Sequence, residues 1–320
     1  MKQRLKLKTL LLLAILPLAF SCDDDDKLPK SPNGKETGDE VNLNKNPGTN
    51  EDYARLEFPR LRGDANSIVL VRRVPTYGIN YAIEYDTQKR SQRWTCWQWY
   101  RGNCGSPWNR NNWINETDNE WVRLNMQTYG FSDPFQPDPD LAPGVRTELD
   151  EYKVSGYQRG HICASADRLI SKEANEQTFY LSNIMPQSSG LNSGIWLDME
   201  NKVQNWGKDN DFRRVLYVVK GGTIDKEEQI RAYTPTGMVV PKYFFMAVLC
   251  EDNNGDFKAM AFWVEHTNQN KKGDALSNYV INVRQLEERT GIDFFCNLPD
   301  DTEQLVETAT TREIINAWKL

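Results

Sequence analysis

The stretch GYQRGHICASADR, residues 156–168, contains one of the two histidines of this 320-residue chain, directly after an arginine and a glycine. A histidine can accept a proton near neutral pH, and the planar guanidinium of arginine suits phosphate oxygens. Arg159 and His161 together therefore indicate phosphodiester chemistry. The triplet RGH is short, so a purely structural role for a histidine in a turn stays open at this point.

A second stretch, FYLSNIMPQSSGLNSGIWLDMEN at residues 179–201, supplies candidate partners for that histidine. Its pattern predicts a helix over 192–206, in which Asn192, Trp196 and Glu200 are spaced four residues apart along one polar stripe. At ~1.5 Å per residue, Asn192 and Glu200 lie roughly 12 Å apart, too far to bind one ion directly together. Asn192 is a candidate ligand for hydrated Mg²⁺ or a helix cap, and the two roles are compatible. A neighbouring apolar stripe predicts docking on a sheet through Ile195, Met199, Val203 and Trp206.

The remaining sequence predicts one mixed α/β (α+β) domain. From Tyr53 to Trp99, short runs alternate apolar and polar residues, which favours strands. Residues 102–146 carry repeated prolines and glycines, which favour loops. Helices are predicted at VRQLEERTG and from Thr302 onward. Continuous apolar runs predict buried strands at RVLYVVKGG, KYFFMAVLC and AMAFWVEH.

Taken together, the two stretches resemble the signature of the DNA/RNA non-specific endonucleases, sugar-non-specific nucleases with a ββα-metal active site. RGH is followed by SNxxPQ, an asparagine, a tryptophan and a glutamate in the family's order and spacing, and weaker likeness extends from Tyr53 to Glu307. The resemblance implies a ββα-metal core built on an antiparallel sheet with flanking helices. It also implies Mg²⁺-dependent hydrolysis of DNA and RNA without strong sequence specificity, leaving 5′-phosphate ends. Mn²⁺ or another divalent ion is the alternative cofactor.

This resemblance also implies a role for each matching residue. His161 corresponds to the general base that takes a proton from the attacking water, and Asn192 to the one protein ligand of the metal ion. Arg159 corresponds to an arginine that binds the phosphate and stabilises its charge. Glu200 corresponds to a glutamate that supports the hydrated metal, and Asn183 to a substrate-binding asparagine of the same site.

One position departs from the family pattern, because Gln158 stands where the family usually has aspartate. Glutamine keeps a hydrogen-bond acceptor but loses the negative charge, so we expect weaker metal binding or a slower enzyme. Two alternative functions stay open. The chain could be a surface lipoprotein that binds nucleic acid with little or no cleavage, or a phosphodiesterase for small nucleotides.

The N-terminal residues indicate export and lipid anchoring. Residues 1–22 combine a basic start, an apolar run and Cys22, which is typical of a lipoprotein signal peptide whose cysteine becomes acylated. Residues 23–52 are polar and acidic, which predicts a flexible tether, and the nuclease domain is expected over 53–320. We expect an outer-membrane lipoprotein on the periplasmic or cell-surface face, in contact with the membrane through its lipid alone. The sequence identifies no protein partner.

Charge and cysteine content limit the other possibilities. The chain carries a formal charge of −6, so nucleic-acid contacts depend on local basic clusters, with candidates at 60–62, 72–73 and 89–93. Cys96 and Cys104 could close a short disulfide loop, although five cysteines after the signal leave at least one thiol unpaired. Two histidines and no CxxC pair do not supply the usual Cys/His zinc site.

Overall fold

The computed structural model describes residues 41–48, 50–115, 119–130 and 133–320. The predictions for the signal peptide, for Cys22 and for most of the tether lie outside these residues. At the centre is a seven-stranded antiparallel sheet. Its strands, in their order across the sheet, are β1 (Ser67–Val74), β2 (Gly78–Asp86), β3 (Ser91–Tyr100), β6 (Val215–Gly222), β9 (Tyr243–Glu251), β10 (Phe257–Glu265) and β11 (Val280–Ile281).

Two smaller antiparallel pairs and a set of helices surround this sheet. The pairs are β4 (Gln158–His161) with β5 (Ile184–Gln187), and β7 (Ile230–Tyr233) with β8 (Val239–Pro241). The helices are α1 (Arg110–Trp113), α2 (Glu120–Tyr129), α3 (Leu149–Lys153), α4 (Lys172–Gln177), α5 (Ser189–Asn192), α6 (Ile195–Lys208), α7 (Val283–Thr290), α8 (Asp300–Glu307) and α9 (Thr311–Trp318). The predicted mixed α/β fold on an antiparallel sheet is confirmed.

Strands β6 and β9 are almost entirely buried because both faces of the sheet are covered. Helix α6 covers one face with the apolar stripe predicted from the sequence, in one cluster with Trp97, Val218 and Met246 of the sheet. Helices α7 and α8 cover the opposite face. Full burial of one large apolar side chain contributes roughly 1.5–3 kcal/mol to the free energy of unfolding, so the two layers of helices hold the sheet firmly in place.

One predicted helix is corrected, and part of the predicted tether is docked on the domain. The helix predicted from Thr302 onward begins at Asp300 and is followed by a separate helix from Thr311. Residues 41–46, which belong to the predicted tether, are docked on the C-terminal part of the domain. The Asn42 amide donates to the Cys296 carbonyl at 3.0 Å and the Leu298 carbonyl at 2.6 Å. Residues 41–46 therefore pack against the domain, and its predicted bounds of 53–320 stay a prediction.

The five cysteines of the described residues are free thiols. Cys96 lies within β3 in the core that faces α7 and α8, whereas Cys104 packs against the core on the other side of the sheet. The sheet therefore separates the two residues that sequence spacing offered as a disulfide pair. Over the described ranges, the helices are too short or too polar to cross a membrane.

Candidate active site

The two motif stretches pair directly with each other. In the ladder between β4 and β5, Gln158 lies opposite Gln187 and His161 lies opposite Ile184. Gly160, the glycine of RGH, is required by this packing, because a Cβ there would lie 2.2 Å from the Gln187 side chain. The β4–β5 pair thus presents Gln158, Arg159 and His161 on one short, fixed strand.

The imidazole of His161 is enclosed by aromatic rings. Its centroid lies 5.3 Å from the ring centroid of Phe135 and 5.0 Å from that of Phe179, with Phe179 nearly perpendicular to it. Nε2 is buried and has no hydrogen-bond partner among the described residues. A nitrogen of this kind is available to a group that the protein itself does not provide.

Burial and three nearby cations keep His161 neutral. Burial is the main cause that lowers the pKa of His161, and the cations Arg110, Arg159 and Lys220 lower it further, from 6.5 to about 3. The ring is therefore neutral at physiological pH and has one unprotonated nitrogen, but it is a weaker base than an exposed imidazole. A bound phosphate anion would offset the three cations and raise the basicity of the ring.

Arg159 lies at the surface end of the same strand. Its NH1 donates to Asp133 Oδ2 at 2.7 Å, and its guanidinium carbon lies 4.0 Å from the ring centroid of Phe135. The side chain remains 31 % exposed, so a second partner can still reach it. A cleft of about 440 Å³ adjoins it and is lined by Asp133, Phe135, Leu149, Tyr152, Lys153, Tyr157, Gln158 and Arg159.

Asn192 contacts strand β4 through Gln158. Its Nδ2 donates to Gln158 Oε1 at 2.9 Å. Asn192 is the last residue of α5, and the helix predicted over 192–206 is interrupted at Ser193 and Gly194 before α6 begins. The single-helix prediction is therefore wrong, as is the proposed cap, because α6 has Gly194 at its N-cap position.

The second histidine supports the helix that carries Asn192. His266 Nδ1 donates to the Pro241 carbonyl at 2.8 Å, and Nε2 accepts from the Ser188 amide at 2.8 Å, immediately before α5. Burial is the main cause that lowers the pKa of His266 to about 4. The neutral ring thus anchors the start of α5.

Glu200 lies deeper in the molecule than the predicted polar stripe implied. Its side chain is 10 % exposed, and Lys220 Nζ lies 3.4 Å from its Oε1. Trp196, on the same stripe, is fully buried. Burial raises the pKa of Glu200 to about 7, and Lys220 opposes that rise. The stripe therefore faces the interior, with Lys220 as the counter-ion of the carboxylate.

Comparison with known proteins decides the family. The sequence profile of the DNA/RNA non-specific endonuclease family matches residues 71–301, which include β4, β5, α5 and α6. The chain belongs to this family. A nuclease of Nostoc sp. is 27 % identical over 240 residues, covering 71 % of this chain and 75 % of the relative. Nuclease C1 of Cunninghamella echinulata is 28 % identical over 182 residues, covering 55 % and 72 %.

A solved structure shares the fold of this endonuclease family member. The crystal structure of the EndoG/EndoGI complex contains a chain that superposes with a TM-score of 0.56 at 20 % identity, covering 71 % of this chain and 86 % of that one. The likeness confirms the fold, with its large antiparallel sheet and flanking helices. Membership of the ββα-metal family implies nucleic-acid substrates and a divalent metal cofactor.

Asn183 has a different environment from the other motif residues of this endonuclease. It is fully buried, and its Nδ2 donates to the carbonyls of Cys163 and Thr178, both at 2.9 Å. Its Oδ1 accepts from the Cys163 amide at 2.9 Å. The side chain therefore holds the backbone that follows His161. Its assignment as a substrate-binding residue stays a prediction.

The basic clusters proposed from the sequence are largely paired within this nuclease fold. Arg72 pairs with Asp138 and Asp140, and Arg93 pairs with Glu84 and Asp225. These guanidinium groups stabilise the fold and are not free phosphate clamps. Arg159 and the exposed Arg110 are the cations close to His161 at the surface. Two further arginines of the predicted clusters are also paired. Arg62 pairs with Asp64, Asp86 and Asp225, and Arg90 pairs with Glu151.

Sequence reasoning missed several side chains that build this site. Asp133 and Phe135 come from the proline-rich segment SDPFQPDPD, which lies within the residues 102–146 predicted to form loops. Lys220 comes from an apolar run predicted to be a buried strand. A lysine is unusual at such a position, and this was the feature of the sequence that could have indicated a role for it. Carboxylates also gather away from the motif, at Glu287, Asp293 and Glu307, where three carboxylate oxygens lie within 4.8 Å of one another.

Proposed function

We propose that this protein is a divalent-metal-dependent endonuclease that hydrolyses DNA and RNA without strong sequence specificity and leaves 5′-phosphate ends. The observation that carries the proposal is one four-residue strand. It holds a neutral His161 with an unpartnered Nε2, an exposed Arg159, and Gln158 hydrogen-bonded to Asn192. A proton acceptor, a phosphate-binding cation and a metal ligand thus converge on β4.

Asn192 fits the cofactor that the family implies. Its Nδ2 is used by Gln158, so Oδ1 is the atom that it has to offer a cation. An amide oxygen suits Mg²⁺, which keeps most of its water ligands, and Mn²⁺ can occupy similar sites. Bound there, the ion would supply charge stabilisation for the phosphate and the leaving oxygen. Glu200 would accept hydrogen bonds from the water molecules around the ion.

The protein's own residues then account for the proton and charge changes. His161 Nε2 accepts a proton from the water that attacks phosphorus, for which it must be neutral. Arg159 donates to a phosphate oxygen with its remaining N–H groups, while Asp133 and Phe135 hold the guanidinium in place. Contacts of this kind grip the backbone and do not read bases, which supports low sequence specificity.

The test is degradation of plasmid DNA and of RNA by the full chain, with Mg²⁺ or with chelator, comparing the parent with His161→Ala and His161→Gln. We expect Mg²⁺-dependent cleavage that falls at least about 100-fold in both variants, because each loses the base. Circular dichroism checks that the variants fold. Parent-like cleavage by either folded variant would remove His161 from the chemistry.

The same assay separates the alternatives. Intact nucleic acid in every lane, with binding seen by gel shift, would favour a nucleic-acid-binding lipoprotein. Cleavage of dinucleotides but not of long polymers would favour a phosphodiesterase for small substrates. Export to the outer membrane and acylation of Cys22 stay part of the proposal, since residues 1–40 lie outside the described residues.

A further inference from the structure

Lys220 is a lysine with no exposed side-chain area in the central strand β6. Lysine almost never occupies such a position unless its charge is paired. Its Nζ lies 3.5 Å from Asp167 Oδ2 and 3.4 Å from Glu200 Oε1. The interior beside the proposed catalytic site therefore encloses one ammonium group between two carboxylates.

These carboxylates belong to the two segments that carry the proposed chemistry. Asp167 lies in the turn that follows His161, and its Oδ2 also accepts from the Ala164 amide at 3.2 Å. Glu200 lies on α6, the helix that follows Asn192. Lys220 belongs to neither segment, so its ammonium ties both of them to the central sheet.

Two indole rings hold the ammonium in place. Its Nζ lies 5.1 Å from the ring centroid of Trp97 and 5.8 Å from that of Trp196. A cation close to an aromatic face is attracted by the negative potential of the ring. The indoles replace water around the charge, so the lysine cannot leave the carboxylates without a large loss of stabilisation.

The charges within this cluster are mutually dependent. Burial lowers the pKa of Lys220, but Asp167 and Glu200 outweigh that effect and raise it overall, so the side chain is a cation at neutral pH. Without Lys220, the pKa of Glu200 would rise above its present value of about 7. Cys163 also faces the cluster and stays a neutral thiol, because burial raises its pKa to about 12.

We infer that Lys220 is a positioning residue for the nuclease reaction, because it fixes the Glu200 carboxyl group and favours its ionised form on α6, the helix that follows the proposed metal ligand Asn192. The inference rests on the proposed function. In this role Lys220 acts through Glu200 on the chemical step and on metal binding, and it does not contact nucleic acid.

Lys220→Met in the full chain tests this role. The measurements are kcat and KM for a DNA substrate, and Mn²⁺ affinity of the nucleic-acid-free protein by electron paramagnetic resonance. We expect kcat and Mn²⁺ affinity each to fall about 10–100-fold, the usual cost of losing an outer partner of a metal site. We expect KM for DNA to be unchanged, because Lys220 is buried.

Arg93→Met is the matched control. It also removes a buried cation of the same sheet that is paired with two carboxylates, Glu84 and Asp225. We expect it to destabilise the fold while kcat and Mn²⁺ affinity stay at the parent values, both measured at a temperature at which the protein is folded. An equal loss in both variants would show a general effect of destabilisation and overturn the inference.

A second variant protects the test against misfolding. Lys220→Met combined with Asp167→Asn restores the net charge of the cluster, so we expect it to fold while kcat and Mn²⁺ affinity remain low. Parent values in either Lys220 variant overturn the inference. Failure of the parent to cleave DNA would instead contradict the proposed function, and the Mn²⁺ affinities would then still decide whether Lys220 supports the metal site.

Discussion

Gln158 is the residue at which this chain departs from the usual family pattern, and its contact explains why the site can tolerate the change. Its Oε1 accepts the hydrogen bond from Asn192 Nδ2 at 2.9 Å. A carboxylate could accept the same bond, so glutamine retains the orientation of the amide. The loss is the negative charge beside the cation site, which lowers the local attraction for a divalent ion.

Restoring that charge should strengthen metal binding. We expect Gln158→Asp to raise DNA cleavage at limiting Mg²⁺ and to lower the Mg²⁺ concentration for half-maximal rate by about 10-fold. Gln158→Glu is the matched variant, since it adds the same charge at the original side-chain length. A Mg²⁺ titration of the cleavage rate measures both. An unchanged midpoint in both variants would show that the missing charge has no part in metal binding.

Single residues differ in how far sequence alone could assign them. Arg159, His161 and Asn192 could be predicted because they belong to two compact motifs whose residue types suit the chemistry. Asp133 could not, because its contact with Arg159 depends on the path of an irregular loop. Lys220 could not be assigned its partners either, since two carboxylates from distant segments meet it only after the chain has folded.

Helical periodicity placed the apolar stripe of α6 correctly but missed the interruption before it. The pattern of residues 192–206 continues across the break, so periodicity alone favours one helix. Gly190 and Gly194 mark where the chain turns, because a Cβ on Gly194 would lie 2.2 Å from the Gly190 carbonyl oxygen. This close approach separates α5 from α6 and lets Asn192 contact β4 while Glu200 faces the interior.

His266 anchors the start of the four-residue helix α5 through its two hydrogen bonds. We expect His266→Phe to lower the free energy of unfolding by about 2–4 kcal/mol, because the Ser188 amide and the Pro241 carbonyl lose their buried partner. We also expect cleavage to need a higher Mg²⁺ concentration for half-maximal rate, since α5 carries Asn192. Urea unfolding and a Mg²⁺ titration measure the two effects. His266→Gln, which keeps a donor and an acceptor, should lose less in both, and equal losses would contradict the anchoring role.

Across the whole molecule, titratable groups make opposing contributions to stability. The pKa values of His161 and His266 lie below 6.5 in the folded chain, at about 3 and about 4. Their stabilisation is complete above pH 6.5 and is lost as the pH falls toward those values. Carboxyl groups where α7, α8 and residues 41–46 meet behave in the opposite way. Burial is the main cause that raises the pKa of Glu287 and Glu303 to about 7.

We expect Glu307 to make the largest contribution to the loss of stability at alkaline pH. Burial first, and then Glu287 and Glu303, raise its pKa from 4.5 to about 9, and its Oε1 is buried without a hydrogen-bond partner among the described residues. A carboxyl with a raised pKa stabilises the fold at low pH, and that contribution is lost as the pH rises from about 4.5 to about 9. Glu307→Gln stays neutral throughout and can still accept from Arg284, which now donates to Oε2 at 2.7 Å.

We therefore expect Glu307→Gln to be more stable than the parent at pH 9, with the difference shrinking to nothing below about pH 4.5. Urea unfolding of both proteins from pH 4 to 9 measures it, with chelator present so that no divalent ion neutralises the carboxylates. Glu288→Gln, at an exposed position of the neighbouring helix α7, is the control and should leave the pH dependence unchanged. Parallel stability curves for parent and Glu307→Gln would mean that Glu307 is ionised in the folded protein and that Arg284 neutralises it.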